Sequence, residues 1–189
     1  MDHLKKNAAG SFVSGKILST RTLVAGALLI AMAVILGQFS IMVGPSVRIG
    51  FSRIPIIVSG MLLGPVAGGL TGLVHDLVNF VMRPAGGFHP GFTLSALVTG
   101  VLPGLVVKFS LSKKSFSPLN IVLSVALVYL IVTLLMNTYW LSQLIGDSYL
   151  VLLPVRASTQ LLANVANIAV LLLLAKPLEG LKHRFRKNS

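Results

Sequence analysis

Long apolar stretches alternate with short basic clusters along the whole chain. Thr22–Val47, Ile54–Val74, Pro84–Val107, Ser115–Gly146 and Ala157–Ala175 are free of Lys, Arg, Asp and Glu, and His89 is the one histidine among them. A helix needs about 20 mostly apolar residues to cross the hydrocarbon core of a bilayer, so the pattern predicts at least five crossings. The basic clusters raise that number. Lys and Arg gather in cytoplasmic loops. Here Lys5, Lys6, Lys16 and Arg21 precede the first stretch, Lys108, Lys113 and Lys114 follow the third, and Lys176, Lys182, Arg184, Arg186 and Lys187 follow the last. Placing all three clusters on one side requires an even number of spans and both termini in the cytoplasm. A break at Gly64-Pro65 supplies the sixth, because Pro cannot donate a helical hydrogen bond and biases its predecessor away from helix.

The expected spans are therefore 22–38, 50–63, 65–82, 91–109, 118–141 and 153–175. The fold class read from them is all-α, a polytopic membrane protein with six transmembrane helices. A basic cytoplasmic segment (1–21) precedes the membrane domain (22–175), and a basic cytoplasmic tail (176–189) follows it. The second span is short, and short or Gly/Pro-interrupted spans mark binding sites in transporters. The first apolar stretch is longer than the ~7–15 residues of a signal-peptide core, so it reads as a retained span.

Composition excludes most alternatives. Hydrophobic residues make up 54% of the chain and charged ones 11%, against about 25% charged in a soluble domain. The net charge of +12 is clumped between apolar runs, which argues against a nucleic-acid partner and for a lipid bilayer. The absence of cysteine excludes disulfides, thiolate metal sites and cysteine nucleophiles. No zinc-ligand cluster, paired carboxylates or Ser/His/Asp grouping stands out. Gly10–Ile17 approaches a P-loop, but Ile17 replaces the required hydroxyl residue. Four of the sixteen Lys and Arg residues fall outside the three clusters, and all four are arginine: Arg48, Arg53, Arg83 and Arg156.

Small and polar residues inside the spans need a reason to be there. Gly60, Gly64, Gly68 and Gly72, with Gly100 and Gly104, follow the small-xxx-small spacing that lets membrane helices approach closely. Ala27 and Ala31 form a further small face, for internal packing or for docking to another membrane subunit. Asp76 is the one acid inside an expected span. It either pairs with an arginine, caps a broken helix, or receives a ligand. Asn79, three residues on, is expected to share its face, while His75 points elsewhere and is simply hydrogen-bonded. The loop at 83–92 combines Arg83 with Phe88, His89 and Phe92 among Pro and Gly, as suits a lid over a planar anion or an interfacial aromatic belt. Asn137 and Trp140 end the fifth span. Arg156, Gln160, Asn164 and Asn167 form one polar stripe on the sixth, which must face protein or a cavity. Arginine forks grip carboxylates, amides read a heterocycle's edge, and rings stack. The combination predicts an outer pocket for a planar, polar, anionic small molecule.

Three segments resemble a known family. Val47-Arg-Ile-Gly-Phe-Ser-Arg-Ile-Pro-Ile56, Gly60-Met-Leu-Leu-Gly-Pro65 and Pro90-Gly-Phe-Thr-Leu-Ser-Ala96 look like the substrate-binding S component of an energy-coupling factor (ECF) vitamin transporter, folate-specific branch. The similarity covers Thr22–Leu105 well and the remainder by span pattern. It implies six helices around an outward-facing pocket, in a multi-pass protein of the bacterial plasma membrane. It implies a vitamin ligand, folate, with no cofactor and no enzymatic activity. The implied partners are a membrane coupling protein and two ATPases, which would supply the missing motor. It also implies that Ala27-Leu-Leu-Ile-Ala31 is the docking motif on the first helix, and that the S component topples in the bilayer to deliver its vitamin. Folate suits the residues: pterin for Asp, Asn and Gln, aminobenzoyl for the rings, glutamate for the arginines. Arg53 stands where some relatives carry an aromatic or apolar residue. The alternatives are another anionic vitamin such as pantothenate, or a solitary ion-coupled transporter using Asp76.

Overall fold

The computed structural model describes residues 20–39, 41–43, 47–82, 89–112 and 114–187, with backbone alone for 41–43, 47–49 and 185–187. Arg83, Phe88, the Gly10–Ile17 segment and the greater part of the basic N-terminal segment lie outside the described residues.

The chain runs α1 (Thr20–Gln38), β1 (Ile41–Val43), β2 (Val47–Ile49), α2 (Arg53–Leu63), α3 (Pro65–Met82) and α4 (Pro90–Phe109). A continuous helical stretch follows, made of α5 (Pro118–Leu127), a π-helical segment (Val128–Asn137) and α6 (Thr138–Ile145), and α7 (Tyr149–Lys187) ends the fold. Among the described residues the architecture is helical apart from one antiparallel ribbon, with Ile41 opposite Ile49, Met42 opposite Arg48 and Val43 opposite Val47. An all-helical reading misses this ribbon. β-Branched residues alternate on both sides of Gly44-Pro45, a pair unable to continue a helix.

Among the described residues four helices are long and apolar enough to cross a membrane: Thr20–Gln38, Pro90–Phe109, Pro118–Ile145 and Tyr149–Arg184. The 18-residue α3 and the 11-residue α2 complete the bundle. At 1.5 Å per residue α2 rises about 16 Å, half the hydrocarbon thickness. Its end is where the Gly-Pro pair predicts it. Gly64 takes φ +99°, a conformation open to glycine, and donates its N–H to the Gly60 carbonyl at 3.0 Å. Pro65 then opens α3, where its missing N–H costs nothing.

Every residue from Ile54 to Met61 is buried, because α1, α3, α4 and α7 surround α2. A helix apolar all round is stable only inside such a shell. Ile54, Ile57, Val58 and Met61 meet Phe116, Ile121, Val125 and Leu171 in the core.

On its other side α2 is held by glycines. A Cβ at Gly60 or Gly68 would collide with the Gly100 carbonyl, one at Gly72 with the Ala96 carbonyl, and one at Gly100 with the Gly68 carbonyl. Backbones of α2, α3 and α4 therefore touch directly, as the glycine spacing predicts. Ser59 and Thr71 share a buried hydroxyl hydrogen bond of 2.8 Å in the same seam.

At the end of the bundle away from Arg53, α7 fastens two other segments. Glu179 accepts the Phe116 N–H at 2.8 Å, and Lys182 donates to the Met61 carbonyl at 2.7 Å. The expected last span, 153–175, is thus the middle of a longer helix. Pro154 and Pro177 are both accommodated within it.

Candidate functional site

Arg53 is the first residue of α2, and its Nη1 donates to Thr133 Oγ1 at 3.1 Å. Thr133 is fully buried and comes from the middle of the π-helical segment. Beside this pair lies a cavity of about 130 Å³ lined by Gly37, Gly50, Ser52, Arg53, His75, Asn79, Gln160, Ala163 and Asn167. Gly37 of α1 leaves room for the Asn79 and His75 side chains, whose polar atoms lie 3.7 Å from where its Cβ would stand. The wall is polar in the heart of an apolar bundle, which is the arrangement polar residues in a membrane require.

Two of its acceptors lack a protein partner among the described residues: Asn79 Oδ1 and Asn167 Oδ1, both buried. An unmet buried acceptor costs about 1–3 kcal/mol, so each is a position where a guest's donor would be stabilising. Arg53 meets no carboxylate within ion-pair distance among the described residues. Asp76 is turned to Thr93, Glu179 binds Phe116 at the opposite end, and Asp147 is exposed.

α7 presents its polar stripe inward, as its spacing predicts. Arg156, Gln160, Asn164 and Asn167 are all buried. Gln160 and Asn167 line the cavity, whereas Asn164 Nδ2 turns back to the Gln160 carbonyl at 2.7 Å.

The aromatic residues assemble next to the start of α4. His89 caps that helix, its Nδ1 accepting the Gly91 N–H at 3.1 Å. Its ring lies 5.2 Å from Trp140 and 5.9 Å from Phe92, and Trp140 lies 5.0 Å from Tyr139. The Trp140 indole covers Gly91 so closely that a Cβ there would overlap it. Trp140 Nε1 and Asn137 Oδ1 are buried with no partner among the described residues.

The structure thus brings Arg53, Asn79 and Gln160 together at one cavity, and His89, Phe92 and Trp140 into one aromatic cluster. Arg48 sits on β2 opposite Met42. Asp76 is not in the cavity wall: its Oδ2 accepts from Thr93 Oγ1 at 2.7 Å. Ala27 and Ala31 are exposed on α1, along an apolar groove of about 450 Å³ shared with Val74 and Val78 of α3.

Residues 21–178 match the family of ECF transporter substrate-specific components. The chain belongs to that family. This S component is 37% identical over 130 residues to the folate transporter FolT of Clostridium novyi (strain NT), covering 69% of this chain and 73% of that one. Its fold is similar to a crystal structure of FolT bound with folic acid, with TM-score 0.73 and 24% identity, over 85% of this chain and 98% of that one. It is also similar to the S component for biotin from an ECF-type ABC transporter, with TM-score 0.60 and 22% identity, over 86% and 91% of the two chains.

Reasoning from the sequence misses several residues of this S component's cavity. His75 faces the cavity instead of pointing away, and Asp76 faces α4. The glycine stripe carries the signal: Gly68, Gly72, His75 and Asn79 are spaced by four, three and four, one helical face. Gly37 and Ser52 offer no signal, being a small residue and a hydroxyl of ordinary kind. Thr133 offers none either, since its place depends on the π register.

Proposed function

We propose that this S component is the high-affinity folate-binding subunit of an ATP-driven vitamin uptake system. One observation carries the reading: a polar chamber inside an apolar bundle contains an arginine with no carboxylate beside it among the described residues. Such a chamber favours a polar guest with negative or electron-rich edges. The likeness to FolT selects folate among such guests. Asn79, Gln160 and Asn167 would read the pterin edge, joined by His75. The cluster of His89, Phe92 and Trp140 would stack on the guest, and Arg53 and Arg156 would meet its acceptor groups. Arg48, Arg83 and Phe88 belong to the proposed outer rim. Asp76 would act from the second side of α3 through Thr93, and Asn137 and Asn164 would support the wall.

The same reading places six crossings in the bacterial plasma membrane, with both termini, 1–21 and 176–189, in the cytoplasm. The subunit hydrolyses no ATP and uses no cofactor. A membrane coupling protein and two ATPases would drive transport, docking on the α1 face of Ala27 and Ala31.

Trp140 is the single tryptophan and packs on the ring cluster, so it reports on the site directly. Titration of purified protein with folate should quench its fluorescence at submicromolar ligand, with biotin and pantothenate failing to compete. Absence of both quenching and calorimetric heat would overturn the assignment. Quenching by pantothenate alone would transfer it to another vitamin.

A further inference from the structure

Arg53 has the longest reach of any group in the cavity wall, and a free arginine side chain carries about 2 kcal/mol of rotamer entropy. The structure removes that freedom with a contact eighty residues away in sequence, the 3.1 Å donation from Nη1 to Thr133 Oγ1. Thr133 is fully enclosed, so its hydroxyl has no water to turn to. Its backbone is specialised as well. The Thr133 carbonyl accepts from Thr138 Oγ1 at 3.0 Å, a side-chain bond across five residues. That is the spacing of the π turn itself, and π turns inside helices gather at functional sites. A regular α-helix through Val128–Asn137 would carry fewer residues into each turn and rotate the hydroxyl of Thr133 against those before it. Among the described residues no carboxylate lies within ion-pair distance of Arg53. The threonine hydroxyl therefore decides where the Arg53 charge rests.

We infer that Thr133, presented by the π-helical turn, is a positioning residue that holds the Arg53 guanidinium at the cavity wall and so sets the affinity for an electron-rich edge of the ligand. Only the identity of the ligand in this inference rests on the folate reading. Thr133 touches no ligand itself; it acts through Arg53.

The test uses the full chain in detergent, labelled with ¹⁵N-arginine, with Arg53→Met identifying the Arg53 signals. Wild type should show slowly exchanging guanidinium protons for Arg53. The near-isosteric Thr133→Val should bring them to the fast exchange of a free side chain, and Thr133→Ser should restore them. In parallel, Thr133→Val should weaken folate binding about tenfold or more, the scale of a lost hydrogen bond to a charged group. Thr133→Ser should stay near wild type, and Thr133→Val should cause no further loss in the Arg53→Met background. Unchanged Arg53 exchange in Thr133→Val, or an equal loss with and without Arg53, would overturn the inference. If Thr133→Val folds poorly, Thr133→Ala with its smaller side chain is read the same way. Wild-type protein that ignores folate would sink the functional assignment alone, because the exchange measurement needs no ligand.

Discussion

At the scale of single residues, the phase of α3 decides which polar group faces the cavity. Close packing of Gly68 and Gly72 against α4 fixes how the helix is turned, and the same turn aims His75 and Asn79 at the cavity. Asp76 is rotated onto Thr93 and its carboxylate is occupied there. Asn79→Leu should then weaken folate binding by about 1–3 kcal/mol, the range for removing one side of a buried polar contact. Asp76→Asn should cost less, since an amide oxygen still accepts from Thr93. Calorimetric titration of both variants gives the order. A larger loss for Asp76→Asn than for Asn79→Leu would put the ligand on the Asp76 side of the helix.

At the scale of elements, what was legible in the sequence is what depends on local chemistry. Gly64-Pro65 announces the end of α2, and the four-residue glycine repeat announces the seam of α2, α3 and α4. The polar stripe from Arg156 to Asn167 announces the inward face of α7. The π-helical segment was not legible, because an uncharged run of Leu, Val and Thr fits either winding. The β1–β2 ribbon was hidden because β1 continues the apolar run of the first span and each strand is only three residues long. The glycine seam gives a sharp expectation. Gly100→Ala drives a methyl into the Gly68 carbonyl, backbone against backbone with no flexible side chain to yield. It should cost at least the ~1–3 kcal/mol of an overpacked core, visible as a lower melting temperature or lost expression. Gly26→Ala meets nothing within 4 Å and lies in α1, where alanine is the better helix former by about 0.5–1 kcal/mol. Its melting temperature should equal or exceed that of wild type. If the two variants melt alike, the seam is looser than its backbone contacts indicate.

At the scale of the whole molecule, α1 stands apart from the other long helices. Of its 19 residues Ala33 and Gly37 alone are buried, so this helix leaves most of its surface to lipid or to another chain. Ala27 and Ala31 are small residues on that surface, and with Ile30, Val34, Val74 and Val78 they line an open groove. Hydrocarbon gives helices no solvophobic reason to associate, so close approach over small residues is the main route to a stable contact. A partner helix could lie in this groove without disturbing the polar cavity, whose wall takes only Gly37 from α1. Ala27→Leu combined with Ala31→Leu fills the groove from its floor while leaving the cavity wall unchanged. The double variant should bind folate with wild-type affinity. Reconstituted in vesicles with the proposed coupling protein and ATPases, it should show little or no ATP-dependent uptake. Binding lost together with uptake would mean that this face holds the fold together, and uptake retained would mean that the partner docks elsewhere.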